Sequence, residues 1–292
     1  MGSLQANCDP LGRKYNKGLI KYRIFNREYM KNKQIQRVLT IFLMIVVGNG
    51  YGVYSQEQNG NQAIRNVVLV HGAFLDGSGW EGVYQELTQK GYNVTVTQHT
   101  LRDFDDDVAV VEKVISQQDG PCILVGHSYG GVVISAAGNQ PNVACLVYIA
   151  AHAPDAGELR ADLVKKYPSA YKSLIKGDDG FDIVNPAKFA EDFAADLPIE
   201  RATFMANAQV PTADKVFRAV IQKPAWKYKP SWYMVAGADR IINPDLERFY
   251  AARAKSKKVV EIKGGSHAIY ASRPKDVAAL IIEAAAHAGK KN

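Results

Sequence analysis

Cys122-Ile123-Leu124-Val125-Gly126-His127-Ser128-Tyr129-Gly130-Gly131 decides the fold of this chain. Four apolar residues read as a buried strand, residues 132–137 read as a helix, and a serine stands at the turn between them. A residue on so sharp a strand-to-helix turn is held in a strained backbone conformation. Small residues are needed two positions to either side, where Gly126 and Gly130 stand. The following helix aims its N-terminal amides at the serine, which favours negative charge developing there. A bare G-x-S-x-G pattern arises by chance, and the strand–turn–helix context is what makes Ser128 the candidate nucleophile.

A serine hydroxyl is a poor nucleophile at neutral pH and needs a histidine base, which in turn needs an acid to set its tautomer. Of six histidines, His267 lies in Gly264-Gly265-Ser266-His267, just after the last strand-like run, where a loop can reach back over the sheet. Asp239 lies in Gly237-Ala238-Asp239-Arg240, directly after another such run. The order serine, acid, histidine is the one expected when the nucleophile follows a strand of an open α/β sheet. Asp155, Glu158 and Asp162 are the alternative acids, and His99, His152 and His287 read as bystanders. Acyl transfer also needs donors for an oxyanion. The amide of Tyr129 is one candidate and that of Ala73, in Val70-His71-Gly72-Ala73-Phe74, is the other, with His71 and His127 as supporting residues.

Outward from these loops, apolar runs at 67–70, 94–97, 122–125, 144–149, 232–236 and 259–262 alternate with segments of helical period. Such alternation predicts a three-layer α/β fold with a mostly parallel central sheet. Ser78 is expected to cap the first helix, Asp105, Asp106 and Asp107 to open the second, and Pro244 and Pro274 to start the last two. Residues 153–228 are too long for a simple connection and predict a helical lid over the C-terminal ends of the strands, where open α/β sheets bind ligands. Phe74, Trp80, Phe204 and Met205 are the candidate walls of a substrate pocket.

The composition is that of a globular protein, 47% hydrophobic and 22% charged. Its net charge of +7 resides in residues 1–55, where nine Lys or Arg face two acids, leaving 27 of each sign in the rest. The body therefore gives no reason to expect a nucleic-acid partner. Within that leader, Lys31, Lys33 and Arg37 precede an apolar stretch at 38–47 and a small and polar segment ending at Ser55. The order matches a signal peptide over 30–55 with export of the remainder. The stretch is shorter than the roughly 20 residues that span a bilayer, so no stable membrane span is expected. Residues 1–29 read as an upstream extension, and residues 56–292 as the catalytic domain. Cys122 and Cys145 read as buried thiols rather than a bridge.

The stretches LVHGAF (69–74), DGSGW (76–80), LVGHSYGG (124–131), VAGADRIINP (235–244) and GGSH (264–267) resemble the α/β-hydrolase superfamily. The resemblance is to the branch of small serine esterases similar to plant methyl-ester-cleaving esterases and hydroxynitrile lyases, and it covers about residues 67–288. It implies the triad Ser128, Asp239 and His267, an oxyanion hole of the Ala73 and Tyr129 amides, a small ester as substrate, and no metal or organic cofactor. One departure is the short run between Gln56 and Asn66, which leaves little room for the antiparallel strands that open this fold. The same triad also serves lyases, carbon–carbon hydrolases and haloperoxidases, or a low-turnover ligand receptor.

Overall fold

In the computed structural model, residues 64–289 are described. The extension at 1–29, the leader at 30–55 and the short run before Asn66 lie outside the described residues, except for its last two positions.

Six strands form one sheet in the order β2-β1-β3-β4-β8-β9, and every neighbouring pair is parallel. They are β1 (Asn66–Val70), β2 (Asn93–Val96), β3 (Cys122–Ser128), β4 (Val143–Ala151), β8 (Ser231–Ala236) and β9 (Lys258–Ile262). β1, β3 and β8 are buried at every position, because helices cover both faces of the sheet. Each Val, Leu or Ile so enclosed contributes about 1.5–3 kcal/mol relative to exposure. The edge strands β2 and β9 are half-buried or exposed and carry Asn93, Lys258 and Glu261, which discourages pairing with another chain.

The chain leaves β1 through α1 (Glu81–Thr88) toward β2, then returns through α2 (Phe104–Ser116) to β3 on the other side of β1. Because such crossovers are right-handed, the reversal puts α1 and α2 on opposite faces. α1 packs with α9 (Pro274–Ala288), and α2 packs with α3 (Gly130–Ala137). The reversal also opens a crevice at the C-terminal ends of β1 and β3, the place where open α/β sheets bind ligands.

Local chemistry sets the helix ends, with two departures from expectation. Asp76, not Ser78, is the cap of the first helical turn, accepting from Ser78 N (2.9 Å). Asp103, not the Asp105–Asp107 cluster, caps α2 by accepting from Asp105 N (3.0 Å). Asp107 is instead fully buried and accepts from the Thr100 and Leu101 amides and the Tyr129 hydroxyl, tying α2 to the turn after β3. At α7 (Pro244–Arg253), Asn243 caps ahead of Pro244 as the sequence implies.

The insertion between β4 and β8 is not wholly helical. It holds α4 (Arg160–Lys166), α5 (Pro186–Asp192) and α6 (Ile199–Asn207), but also an antiparallel sheet of β5 (Leu174–Lys176), β6 (Phe181–Val184) and β7 (Thr212–Ala213). These strands are two to four residues long, too short to declare a period of two in the sequence. After β9 a single turn, α8 (Ile269–Ser272), leads into α9, and no described helix is long and apolar enough to cross a membrane. Cys122 and Cys145, on adjacent strands, are both free and buried, and burial pushes the Cys122 thiol up to about 11.

Candidate active site

Ser128 ends β3 with φ +53°, a left-handed backbone that a side chain rarely tolerates. The turn is held tight by two close approaches. A Cβ on Gly126 would lie 2.6 Å from Gly130 O, and one on Gly130 would lie 2.6 Å from the carbonyl oxygens of Val70 and His71. The strand can thus pass straight into α3 with Ser128 at the apex.

Three loops at the C-terminal ends of β3, β8 and β9 meet there. The Ser128 hydroxyl lies 2.9 Å from His267 Nε2, and His267 Nδ1 lies 2.5 Å from Asp239 Oδ2. With Nδ1–H donating to the carboxylate, Nε2 is left as the acceptor for the serine proton. The other Asp239 oxygen accepts from the amides of Ile241 (2.7 Å) and Ile242 (2.9 Å), which fixes the carboxylate plane. His267 is fully buried, with Phe193 packed edge-on to its ring at 4.7 Å. Asp155, Glu158 and Asp162 are not part of this arrangement; they pair with Lys227, Arg253 and Lys165.

His127 supports the histidine loop from below. Its Nε2–H donates to the His267 carbonyl at 2.8 Å, and burial together with the neighbouring His267 holds its pKa well below the usual range. His71 donates from Nδ1 to Gly72 O (2.9 Å) and accepts at Nε2 from His99 N (3.3 Å). It stacks on His99 at 3.6 Å, and burial lowers the pKa of His71 to about 4 and that of His99 to about 2. These rings are neutral structural parts around the triad loops.

At the expected oxyanion site, the Phe74 amide is already used, donating to Thr212 Oγ1 at 2.9 Å. Among the described residues the amides of Ala73 and Tyr129 have no partner in the protein, and both residues line the space above Ser128. Phe74 takes a left-handed φ of +66°, so the strained loop after β1 mirrors the strained turn after β3.

A pocket opens to solvent over Ser128, lined by both apolar and polar side chains. Of the four expected walls only Phe74 lines it. Trp80 is fully buried in the core, 4.7 Å from the Tyr270 ring. Phe204 and Met205 both lie on α6, where Phe204 is 55% exposed to solvent while Met205 is buried away from the pocket. The aromatic wall comes instead from Tyr129 and from Phe217, 5.6 Å from the Phe74 ring. His152, read as a bystander, is also at the pocket, next to the Tyr250 hydroxyl at 3.3 Å. Arg160 and Tyr171 reach it from the lid. No sequence signal distinguished these, since nothing local says which lid side chains turn inward.

Another group without a sequence signal is Glu247 on α7, fully buried behind Asp239. Its Oε2 accepts from Ala236 N at 3.1 Å, and Oε1 has no partner among the described residues. Burial first, then the Asp239 charge, raises its pKa well above the usual carboxylate range.

The model of the alpha/beta hydrolase family matches residues 67–280, nearly the whole described chain. The chain belongs to the alpha/beta hydrolase family. Among relatives of this alpha/beta hydrolase, Methylesterase 7 of Arabidopsis thaliana is 25% identical over 256 residues, covering 76% of this chain and 96% of the relative. The carbendazim hydrolyzing esterase of Nocardioides sp. (strain SG-4G) is 34% identical over 125 residues, 35% of this chain and 49% of the relative. The crystal structure of polyneuridine aldehyde esterase superposes with a TM-score of 0.65 at 18% identity, covering 75% of this chain and 98% of that one. The expected fold and the expected esterase branch of the alpha/beta hydrolases agree with these likenesses.

Proposed function

We propose that this protein hydrolyses small carboxylic esters through an acyl-enzyme on Ser128. The reading rests on one observation above all: Ser128 Oγ, His267 and Asp239 lie in unbroken hydrogen-bond contact, with Ser128 and His267 lining the pocket. In the proposed reaction His267 Nε2 takes the serine proton as Oγ attacks the ester carbonyl, and Asp239 stabilises the imidazolium that forms. The Ala73 and Tyr129 amides, without a partner among the described residues, receive the oxyanion, each worth a few kcal/mol in the transition state. His267 returns the proton to the leaving alcohol, then activates the water that releases the acid.

Phe74, Phe217 and Val216 make one side of the pocket apolar, which suits a small aliphatic or aromatic ester. The leader at residues 30–55 supports export as the accompanying proposal.

The test is hydrolysis of nitrophenyl esters of graded acyl length by the full chain and its Ser128→Ala variant. The variant is expected to lose about four to six orders of magnitude in kcat. A fluorophosphonate should label the wild type and leave the variant untouched. Undiminished turnover in the variant, or an unlabelled wild type, would overturn the assignment of Ser128 as nucleophile.

A further inference from the structure

Arg160 is the first residue of α4 in the lid, and its side chain borders the same pocket as Ser128 and His267. Its guanidinium carbon is 4.9 Å from the Phe217 ring centroid, so the aromatic wall holds it from one side. Among the described residues it makes no ion pair, and its Nε, shut off from solvent, has no hydrogen-bond partner. Its polar neighbours are the Tyr171 and Tyr250 hydroxyls, and burial raises the pKa of both phenols, keeping them uncharged.

Among the described residues the one carboxylate lining the pocket, Glu158, is already consumed. Arg253 Nη1 and Nη2 grip it at 2.7 and 2.8 Å, and it also accepts from Asp155 N at 2.9 Å. His152 is held neutral by burial. Arg160 thus borders the pocket as a cation with no carboxylate paired to it among the described residues, and beside its hydrogen bond to Tyr171 its Nε is left as an unused donor. A cation withdrawn from water without an anion is costly, and a bound anion removes that cost.

We propose that Arg160 binds a carboxylate on the substrate, so that the enzyme prefers esters that carry a second, anionic group at the end remote from the scissile bond. The planar fork of arginine matches a carboxylate with two parallel hydrogen bonds, and the Phe217 face keeps that fork oriented. Monoesters of short dicarboxylic acids have this chemistry. The proposal rests on the serine-esterase reading for its reaction and on Arg160 alone for its selectivity.

The full chain would be assayed with nitrophenyl monoglutarate and with nitrophenyl hexanoate, a neutral ester of similar length. Expected is a kcat/KM for the charged ester at least about tenfold above the neutral one, carried in KM. Arg160→Gln should bring that ratio to one or below, and Arg160→Lys should restore part of it. Both esters are turned over by the same sample, so loss of folded protein cancels in the ratio. Free glutarate should bind the wild type saturably in calorimetry and bind Arg160→Gln about tenfold more weakly. Equal use of both esters by the wild type, or a ratio unchanged in Arg160→Gln, overturns the role of Arg160 and leaves the esterase reading standing. If neither ester is turned over, the esterase reading fails, and glutarate binding decides on Arg160 by itself.

Discussion

Glu247 shows how much a single buried group can matter without touching substrate. Its carboxyl accepts from the Ala236 amide and sits behind Asp239, where burial and the neighbouring carboxylate push its pKa well above the usual range. Glu247→Gln keeps its shape and should fold normally. Glu247→Leu strands the Ala236 amide and should cost about 1–3 kcal/mol. The linkage has a definite sign. A carboxyl whose folded pKa is raised gives stability below its unfolded pKa, and that stability is lost as pH rises toward the folded pKa. Denaturant titrations at pH 6 and pH 9 should therefore show Glu247→Gln gaining on the wild type as pH increases, and a constant difference between them would mean that Glu247 is ionised at both.

At the scale of elements, the turn from β3 into α3 is the most constrained joint in the molecule. Gly126→Ala would press a methyl group against the Gly130 carbonyl 2.6 Å away, where backbone rather than a flexible side chain must yield. Overpacking of this kind costs about 1–3 kcal/mol, and calorimetry should find the melting temperature lowered by roughly 2–10 °C. An unaltered melting temperature would mean that the strand and helix shift apart freely. This joint was legible in the sequence because its chemistry is local: a strand, a serine and two glycines within a few residues. The three-stranded lid sheet was not legible. Its strands are two to four residues long and pair across a loop and two helices, so their stability comes from partners that no short window contains.

For the whole molecule, His71, His99 and His127 form a neutral, buried layer beneath the triad loops. Their folded pKa values lie below 6.5, so the unfolded chain binds protons there that the native chain does not. The stability they contribute is present above about pH 6.5 and falls as pH drops, by up to about 1.4 kcal/mol per pH unit for each ring. Urea midpoints followed from pH 7 to pH 5 should decline steeply, before most carboxylates titrate. A flat profile across that window would show that the rings take up protons in the native state.

The amino-acid sequence by itself determined the six parallel strands, the turn at Ser128 and the chain order of Ser128, Asp239 and His267. Apolar runs, turn glycines and capping prolines act through near neighbours, and they read the same before and after folding. Only the tertiary structure decided what stands around Ser128. His267 is 139 residues from the serine it contacts. Trp80, Phe204 and Met205 have the chemistry of pocket walls, yet Trp80 and Met205 are buried elsewhere and Phe204 faces solvent, while Arg160, Phe217 and His152 turn toward the site. The direction of a side chain on a lid element depends on how that element docks on the sheet. Docking is settled by packing summed over the whole lid, a quantity that no single stretch of sequence carries.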